Sequence, residues 1–167
     1  MPSTLPRDEP WIVAVKSCRL PRGMAWYTRF AHHTWVDVKR GDEQRWLRVE
    51  VLNETTGAQA AAIPAATARM DTRWQRDIRT HTTILGERAQ RIAAVIEDLA
   101  RAQHDKYANG YRGWPGPNSN TLIAELVREI PDLTTDFDPN ALGKDYEGWF
   151  SAGATASKTG VRVDTLP

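Results

Sequence analysis

Two segments of the chain, residues 87–104 and 121–130, carry apolar residues at helical spacing with polar or charged residues opposite. The apolar positions are Ala89, Ile92, Ala93, Ile96, Leu99 and Ala100 in the first segment, and Leu122, Ile123, Leu126, Val127 and Ile130 in the second. Pro131 ends the second pattern, because proline cannot continue a helix. The spacing therefore predicts two amphipathic helices.

Strand-like patterns occur in three shorter segments, residues 11–17, 31–39 and 45–52, which are rich in β-branched and aromatic residues. Residues 161–164, "VRVD", predict a last edge strand. The alanine-rich stretch 53–83 has no sustained period, so both a short helix and a flexible excursion are open for it. We expect an α+β fold in which an antiparallel sheet packs against the two helices.

Gly41-Asp42 lies between the second and third predicted strands and suits a two-residue hairpin turn. A turn centred on this pair places His33 opposite Glu50. The other predicted pairs on that side are Trp35–Arg48 and Asp37–Trp46, and those on the opposite side are Val36–Leu47, Thr34–Val49 and His32–Val51. His33, beside a carboxylate, is therefore the candidate functional histidine, and His32 the candidate structural one.

The composition is typical of a soluble globular protein, since 41% of the 167 residues are hydrophobic and 26% are charged. The formal net charge of +1 does not indicate a nucleic-acid partner. No run of about 18 apolar residues could span a membrane, and the first residues lack the apolar core of a signal peptide. We expect a disordered segment over 1–10, a single domain over 11–167 and a cytoplasmic location.

Cys18 is the single cysteine, so no disulfide forms within the chain, and its strand context favours a buried or inert thiol. The histidines and Cys18 do not have the spacing of a zinc site. A phosphate-binding glycine loop is also missing from the sequence. The sequence therefore predicts neither a metal nor a cofactor.

The stretch "GWPGPNSNT", residues 113–121, places Ser119 just before the second predicted helix. Asn118, Ser119 and Asn120 are each good N-caps, and a cap contributes about 1 kcal/mol. The same place also suits a nucleophile, because the N–H groups of a helix N-terminus stabilise a developing oxyanion. A serine there needs an aligned base, for which His33 is the candidate, and a third group such as Glu50.

Other polar and aromatic residues have two readings each. Lys144, Asp145 and Tyr146 in "GKDY" form either a turn whose tyrosine packs inwards or the polar wall of a site. Trp35 and Trp114 belong either to the core or to the wall of a ligand cleft. With Asn118 and Asn120, these residues are the candidate substrate-binding set.

Three segments resemble a bacterial family, domain of unknown function 3750. They are "AHHTWVDVK" with the following "VEV", then "YRGWPGPNSNT", then "DPNALGKDY" with the later "TGVRV". The resemblance covers residues 11–165. It implies no established activity. Members of the family often have an exported or membrane-attached N-terminus, which we do not expect for this chain.

A histidine in an early strand followed by an "N-C-N-T" motif that opens a helix resembles the circularly permuted papain-like hydrolases. By position, the resemblance implies that His33 is the base and that Ser119 occupies the nucleophile position, with Glu50 as a third polar residue. Serine stands where those hydrolases have cysteine, which removes the thiolate–imidazolium pair.

Three functions are therefore open. The first is a hydrolase or acyltransferase that uses Ser119, His33 and Glu50 on an amide or ester. The second is an inactive domain that binds a small molecule, peptide, glycan or lipid fragment in the same cleft. The third is a structural protein in which "GPNSNT" is only a turn and a helix cap. A site requires Ser119 Oγ within about 4 Å of a ring nitrogen of His33.

Overall fold

The computed structural model describes residues 5–21, 26–41, 44–53, 55–70, 77–147, 151–154 and 161–164. The strands are β1 (Ile12–Arg19), β2 (His32–Lys39), β3 (Arg45–Val51), β4 (Ala58–Pro64), β5 (Arg79–Leu85), β6 (Ser151–Ala154) and β7 (Val161–Asp164). The helices are α1 (Ala65–Met70), α2 (Gly86–Ala102), α3 (His104–Gly110) and α4 (Ser119–Glu129), with a 3-10 turn at Trp26–Arg29.

Five strands form one sheet in the order β4-β3-β2-β1-β5, and every neighbouring pair is antiparallel. β6 and β7 pair with each other in a separate two-stranded sheet. The predicted α+β class is therefore confirmed. The predicted strand at 161–164 is present as β7.

The sheet is wider than the sequence pattern predicts, because the stretch 53–83 contributes β4 and β5. β4 is mostly alanine, a strong helix former, but all seven of its residues pair with β3. Backbone pairing with a central strand thus overrides the local preference. Residues 71–76 of this stretch lie outside the described residues.

The two predicted helices are present as α2 and α4, with shifted ends. α4 begins at Ser119, two residues before the predicted start. The connection between them contains an additional short helix, α3, which buries Tyr107. The sequence analysis missed α3 because its turn-rich composition has no amphipathic period.

Each face of the five-stranded sheet is covered. The valines of β1, β2 and β3 pack with the apolar sides of α2 and α4. The opposite face contacts α1 and the N-terminal segment through a smaller cluster, formed by Leu5, Ile12, Ala14, Trp46 and Ala68. Alternation along the strands places His33, Trp35 and Asp37 on this second face, because Val36 and Val38 point to the first.

The N-terminal segment, predicted as a disordered lead-in, is described from residue 5. Leu5 is buried, and Lys39 Nζ donates to the carbonyl oxygens of Arg7 and Glu9, at 3.2 and 2.5 Å. These contacts hold residues 5–9 against the sheet. No helix in the described ranges is long and apolar enough to cross a membrane.

The hairpin of β2 and β3 is offset by two residues from the predicted pairing, so the predicted partners are wrong. Val36 pairs with Val49, Asp37 with Arg48 and Val38 with Leu47. The offset brings Asp37 opposite Arg48, with which it forms a buried ion pair. A shift of two residues leaves every side chain on its predicted side. The predicted turn residue Asp42 lies outside the described residues.

Candidate functional site

Ser119, His33 and Glu50 form a hydrogen-bonded chain. Ser119 Oγ lies 2.7 Å from His33 Nδ1, and His33 Nε2 lies 3.0 Å from Glu50 Oε2. All three residues are buried, with exposures of 6%, 5% and 3%. With Glu50 ionised, Nε2 carries the proton, which leaves Nδ1 to accept from the serine hydroxyl. The structure thus places the serine against the histidine well within the required 4 Å.

The position of Ser119 follows from how α4 begins. Asn118 is the N-cap, and its Oδ1 accepts from the backbone N–H groups of Asn120 and Thr121. Thr121 Oγ1 accepts from the N–H of Asn118 in return, which completes a capping box. Ser119 is consequently the first residue of the helix, and its own N–H has no acceptor among the described residues. That N–H lies at the positive end of the helix dipole.

The segment Leu142–Tyr146 holds this helix start in place. Leu142 O accepts from the side-chain amides of Asn118 (3.0 Å) and Asn120 (2.8 Å), and Gly143 O accepts from Thr121 Oγ1 (2.7 Å). Gly143 has a φ of +89°, and a Cβ there would lie 2.5 Å from Asn118 Nδ2. Only glycine fits this position, so the motifs "WPGPNSNT" and "GKDY" form one structural unit.

A family model matches the part of the chain that contains this structural unit. The model of the proteins of unknown function DUF3750 matches residues 13–146, which include the sheet, the helices α1–α4 and both motifs. The chain belongs to the DUF3750 family. No curated protein and no solved structure gives a significant match to it.

A cavity of about 80 Å³ adjoins the Ser119–His33 pair in this DUF3750 protein. Its lining residues are Leu20, Thr28, Ala31, His32, His33, Leu52, Tyr111, Gly113, Asn118, Ser119, Asn120 and Leu142. Seven of these twelve residues have polar side chains, and the apolar members are Leu20, Ala31, Leu52 and Leu142. The volume corresponds to about three water molecules, each of which occupies about 30 Å³ in the liquid.

Asn120 is oriented by two backbone carbonyls. Its Nδ2 donates to His32 O and to Leu142 O, each at 2.8 Å, which uses both amide hydrogens. The amide of Asn120 is therefore not available to hold an oxyanion. Its Oδ1 is buried and accepts no hydrogen bond from any described residue.

Trp35 supports the His33 ring from inside the sheet and is not a cleft wall. It is fully buried and stacks on His33, with ring centroids 5.7 Å apart and an interplanar angle of 24°. Its Nε1 donates to Asp37 Oδ2 at 3.1 Å, and Arg48 lies over its ring. A ligand in the cavity does not reach this side chain, so its placement among the substrate-binding residues is corrected to a role behind the histidine.

The remaining candidate substrate-binding residues lie outside the lining of this cavity. Trp114 is 53% exposed and follows Gly113, a lining residue of the cavity. Lys144 and Asp145 form an ion pair with each other at 2.9 Å, outside the cavity lining. Tyr146 packs against Gly116, where a Cβ would lie 2.9 Å from its ring. Tyr146 also lines a different cavity, of about 430 Å³, so the turn and the wall of a site both remain open for "GKDY".

A second polar cluster lies behind the cavity, around Asp138. His32 Nδ1 lies 3.2 Å from Asp138 Oδ2, close enough for a charge interaction although not aligned as a hydrogen bond. Arg79 pairs with the same carboxylate at 2.9 Å. His81 is partly buried, and its Nε2 lies 2.7 Å from Ser17 Oγ. Within the described ranges, no group of three histidine, cysteine or carboxylate side chains could hold a metal ion.

The pKa values of both histidines in this cluster are lowered. Burial is the largest cause for each, because it disfavours the charged ring. Asp138 opposes the lowering of both pKa values, and Arg79 adds to it. Both histidines are thus held neutral where an ordinary histidine begins to protonate.

We expect the free energy of unfolding to fall as the pH drops below about 6.5, the ordinary pKa of histidine. Below that pH, His32 and His81 bind protons in the unfolded chain but stay neutral in the native protein, because their native pKa values are lowered. Protonation therefore favours unfolding. Above about pH 6.5, the contribution of these two neutral histidines to the free energy of unfolding is fully present. Urea unfolding between pH 8 and pH 5 measures the slope, and His81→Gln should flatten it. A stability that stays level or rises as the pH falls over this range would contradict the expectation.

Several residues of the site were missed by the sequence analysis. Asp138, Tyr111, Leu20, Leu52 and Leu142 all lie in loops or at strand ends, where no periodic pattern marks them. The one local signal among them is the Asp-Pro sequence at residues 138–139, which is typical of a turn and does not indicate a partner for His32. Cys18, expected to be a buried or inert thiol, is buried on β1 beside His33 in the sheet.

Proposed function

We propose that this protein is a hydrolase or acyltransferase that acts on an amide or ester, with Ser119 as the nucleophile. The observation that carries the proposal is the chain from Ser119 Oγ through both ring nitrogens of His33 to Glu50, at 2.7 and 3.0 Å. A serine hydroxyl is a weak nucleophile that needs an adjacent base, and the base needs a group that fixes its tautomer. The three residues supply these parts.

The reaction follows from the positions of the protons. His33 Nδ1 takes the hydroxyl proton of Ser119 as Oγ forms a bond to the carbonyl carbon of the substrate, whose oxygen becomes an oxyanion. His33 then gives that proton to the leaving nitrogen or oxygen as its bond to carbon breaks, which leaves an acyl group on Ser119. Water, or another acceptor with an O–H or N–H group, reverses these steps and releases the acyl group.

A hydrogen-bond donor is available for the oxyanion that develops on the substrate in this reaction. The N–H of Ser119 lies at the start of α4, where the helix dipole favours an anion. Glu50 stabilises the imidazolium that forms when His33 takes the proton. The ring is reversed relative to the chymotrypsin triad, in which Nε2 and not Nδ1 faces the serine.

The resemblance to permuted papain-like hydrolases supports the same roles, with serine in place of cysteine. A serine cannot form the stable thiolate–imidazolium pair of those enzymes, because its hydroxyl pKa lies far above that of a thiol. The carboxylate of Glu50 makes the general-base route open to Ser119, since it accepts from His33 Nε2 and so leaves Nδ1 to take the proton. This is the physical reason for preferring a serine hydrolase to an inactive binding domain.

A fluorophosphonate probe tests the proposal, because it forms an adduct only with an activated serine. We expect a single adduct on Ser119, detected by peptide mass spectrometry, that is lost in Ser119→Ala. Ser17→Ala is the matched control and should keep the adduct, because Ser17 also lies 2.7 Å from a histidine, His81, but has no place at a helix start. If the wild-type protein carries no adduct at Ser119, the serine is not a nucleophile, and a binding function in the same cavity becomes the better explanation.

A further inference from the structure

The strand β4 is one edge of the five-stranded sheet and pairs with β3 on one side. In an antiparallel ladder, the N–H and C=O of a residue point to the same side, and successive residues alternate between the two sides. The ladder continues past the end of β4, where the N–H of Ala65 donates to Gln44 O at 3.0 Å. The backbone groups of the odd-numbered residues of β4 therefore point to β3, and those of the even-numbered residues point outwards.

Two further hydrogen bonds agree with this assignment. Ala58 O accepts from His104 Nδ1 at 3.0 Å, and Ala62 O accepts from Arg45 Nη2 at 2.9 Å. Both carbonyls belong to even-numbered residues, and side chains supply their donors. Between them, the outward N–H and C=O of Ala60 have no hydrogen-bond partner among the described residues. The middle of β4 is therefore an open backbone edge.

A groove of about 420 Å³ lies along this edge. It is lined by part of β4 and by the junction of α2 and α3, through Ala58, Gln59, Ala60, Ala61, Arg101 and His104. Proteins usually protect an exposed edge strand with charged side chains or by keeping it short, but the seven residues of β4 carry no charge. The groove is thus accessible to a second extended backbone.

From this edge and its groove we propose that the protein binds an extended peptide with an acidic residue, which adds to β4 as a sixth strand. One residue of the peptide exchanges both backbone hydrogen bonds with Ala60, as in an antiparallel pair. Its side chain then lies on the same face of the sheet as that of Ala60. Ala60 packs against the core cluster that includes the apolar side of α2, so a carboxylate at this position lies on the face that carries Arg101.

The charge of the groove favours a carboxylate. Among the lining residues that the structure describes, Arg101 is the one with a permanent charge, and its side chain is 64% exposed. Its partner Glu97 also pairs with Arg40, so two guanidinium groups share one carboxylate. A second copy of the chain fits less well, because pairing of β4 with itself would place two positively charged grooves on the same face of the joined sheet.

The test is an NMR titration of the full-length protein with the acetylated and amidated peptide "GTVTETVTG" and with the same peptide in which glutamine replaces the glutamate. We expect shifts in the backbone amide signals of Ala60 and Ala62, whose N–H groups point outwards. The glutamate peptide should bind about fivefold more tightly, which corresponds to about 1 kcal/mol, the upper value for an exposed ion pair.

Three variants separate the backbone edge from the charge. Arg101→Gln should bind the two peptides equally, because it removes the charge and leaves the edge. Arg91→Gln is the matched control and should keep the fivefold preference, because Arg91 is also on α2 and is 61% exposed but lies outside the groove lining. Ala60→Pro should bind neither peptide, because it removes the outward N–H at an edge position where proline is tolerated.

The absence of shifts at both amides, or equal binding of the two peptides to the wild-type protein, would overturn the proposal. Shifts at the same amides on concentrating the protein without peptide would assign the edge to a second copy and would also overturn it. The wild-type comparison decides the matter even if Ala60→Pro does not fold. The groove shares no described lining residue with the Ser119 cavity, so the result is independent of fluorophosphonate labelling.

Discussion

Replacement of Asp37 by alanine is expected to lower the free energy of unfolding by about 3–5 kcal/mol, the cost of removing one partner from a buried ion pair. Asp37 is fully buried and accepts from Arg48 Nε and Nη2 at 2.7 and 2.9 Å. Lys16 Nζ lies 3.2 Å from the same carboxylate and also donates to Ala68 O. Without Asp37, the charges of Lys16 and Arg48 lose the carboxylate that neutralises them in the sheet.

Urea unfolding of Asp37→Ala and Asp132→Ala measures the difference. Asp132 is the matched control, because it is about half exposed and pairs with Arg88 and Arg91 at 3.5 and 3.6 Å. An exposed pair of this kind contributes at most about 1 kcal/mol. The account of the buried cluster is wrong if Asp37→Ala is no more destabilising than Asp132→Ala.

The second large effect concerns His33. In His33→Gln the rate of fluorophosphonate labelling at Ser119 should fall by about 10²–10⁴, the usual contribution of a general base. His33 is the only group that the structure places within hydrogen-bond distance of Ser119 Oγ among the described residues. Glu50→Gln should reduce labelling less, because it leaves the base in place and removes only the charge that stabilises the imidazolium.

A comparison with His81→Gln separates a chemical from a structural cause. His81 is also hydrogen-bonded to a buried serine, Ser17, but lies outside the cavity lining. We expect His81→Gln to be labelled at the wild-type rate. Thermal unfolding of both variants should show that each is folded at the labelling temperature. A His33→Gln protein that is folded and still labelled at the wild-type rate would remove His33 from the reaction.

The sequence was enough to predict on which side of the sheet the residues of β2 and β3 lie. It was not enough to predict which residues of the two strands pair. Alternation in β2 and β3 depends on local sequence, so the prediction that His33 and Glu50 share a side agrees with the structure. The offset of two residues depends on a contact across the sheet, between Asp37 and Arg48. No local sequence pattern indicates which of the possible hairpin registers places the carboxylate of Asp37 beside the guanidinium of Arg48.

The start of α4 could likewise be predicted only in part from the local sequence. Cap chemistry alone placed three candidates at the helix start, and the structure selects Asn118 as the cap and so makes Ser119 the first helical residue. The choice depends on Leu142 and Gly143, which are more than 20 residues away and receive the side chains of Asn118, Asn120 and Thr121. The contact with Leu142 also engages the Asn120 amide, and no local pattern in the sequence indicates this.

The pH dependence of thiol alkylation in Ser119→Cys tests most directly whether this helix start and His33 activate a nucleophile, because it needs no substrate. An ordinary cysteine has a pKa of about 8.5, and a helix N-terminus with a neighbouring histidine lowers it. We predict that the rate of reaction with iodoacetamide reaches half its maximum well below pH 8.5, and that adding His33→Ala moves this midpoint up towards pH 8.5 or above it. The same midpoint in both proteins, at or above pH 8.5, would contradict the account.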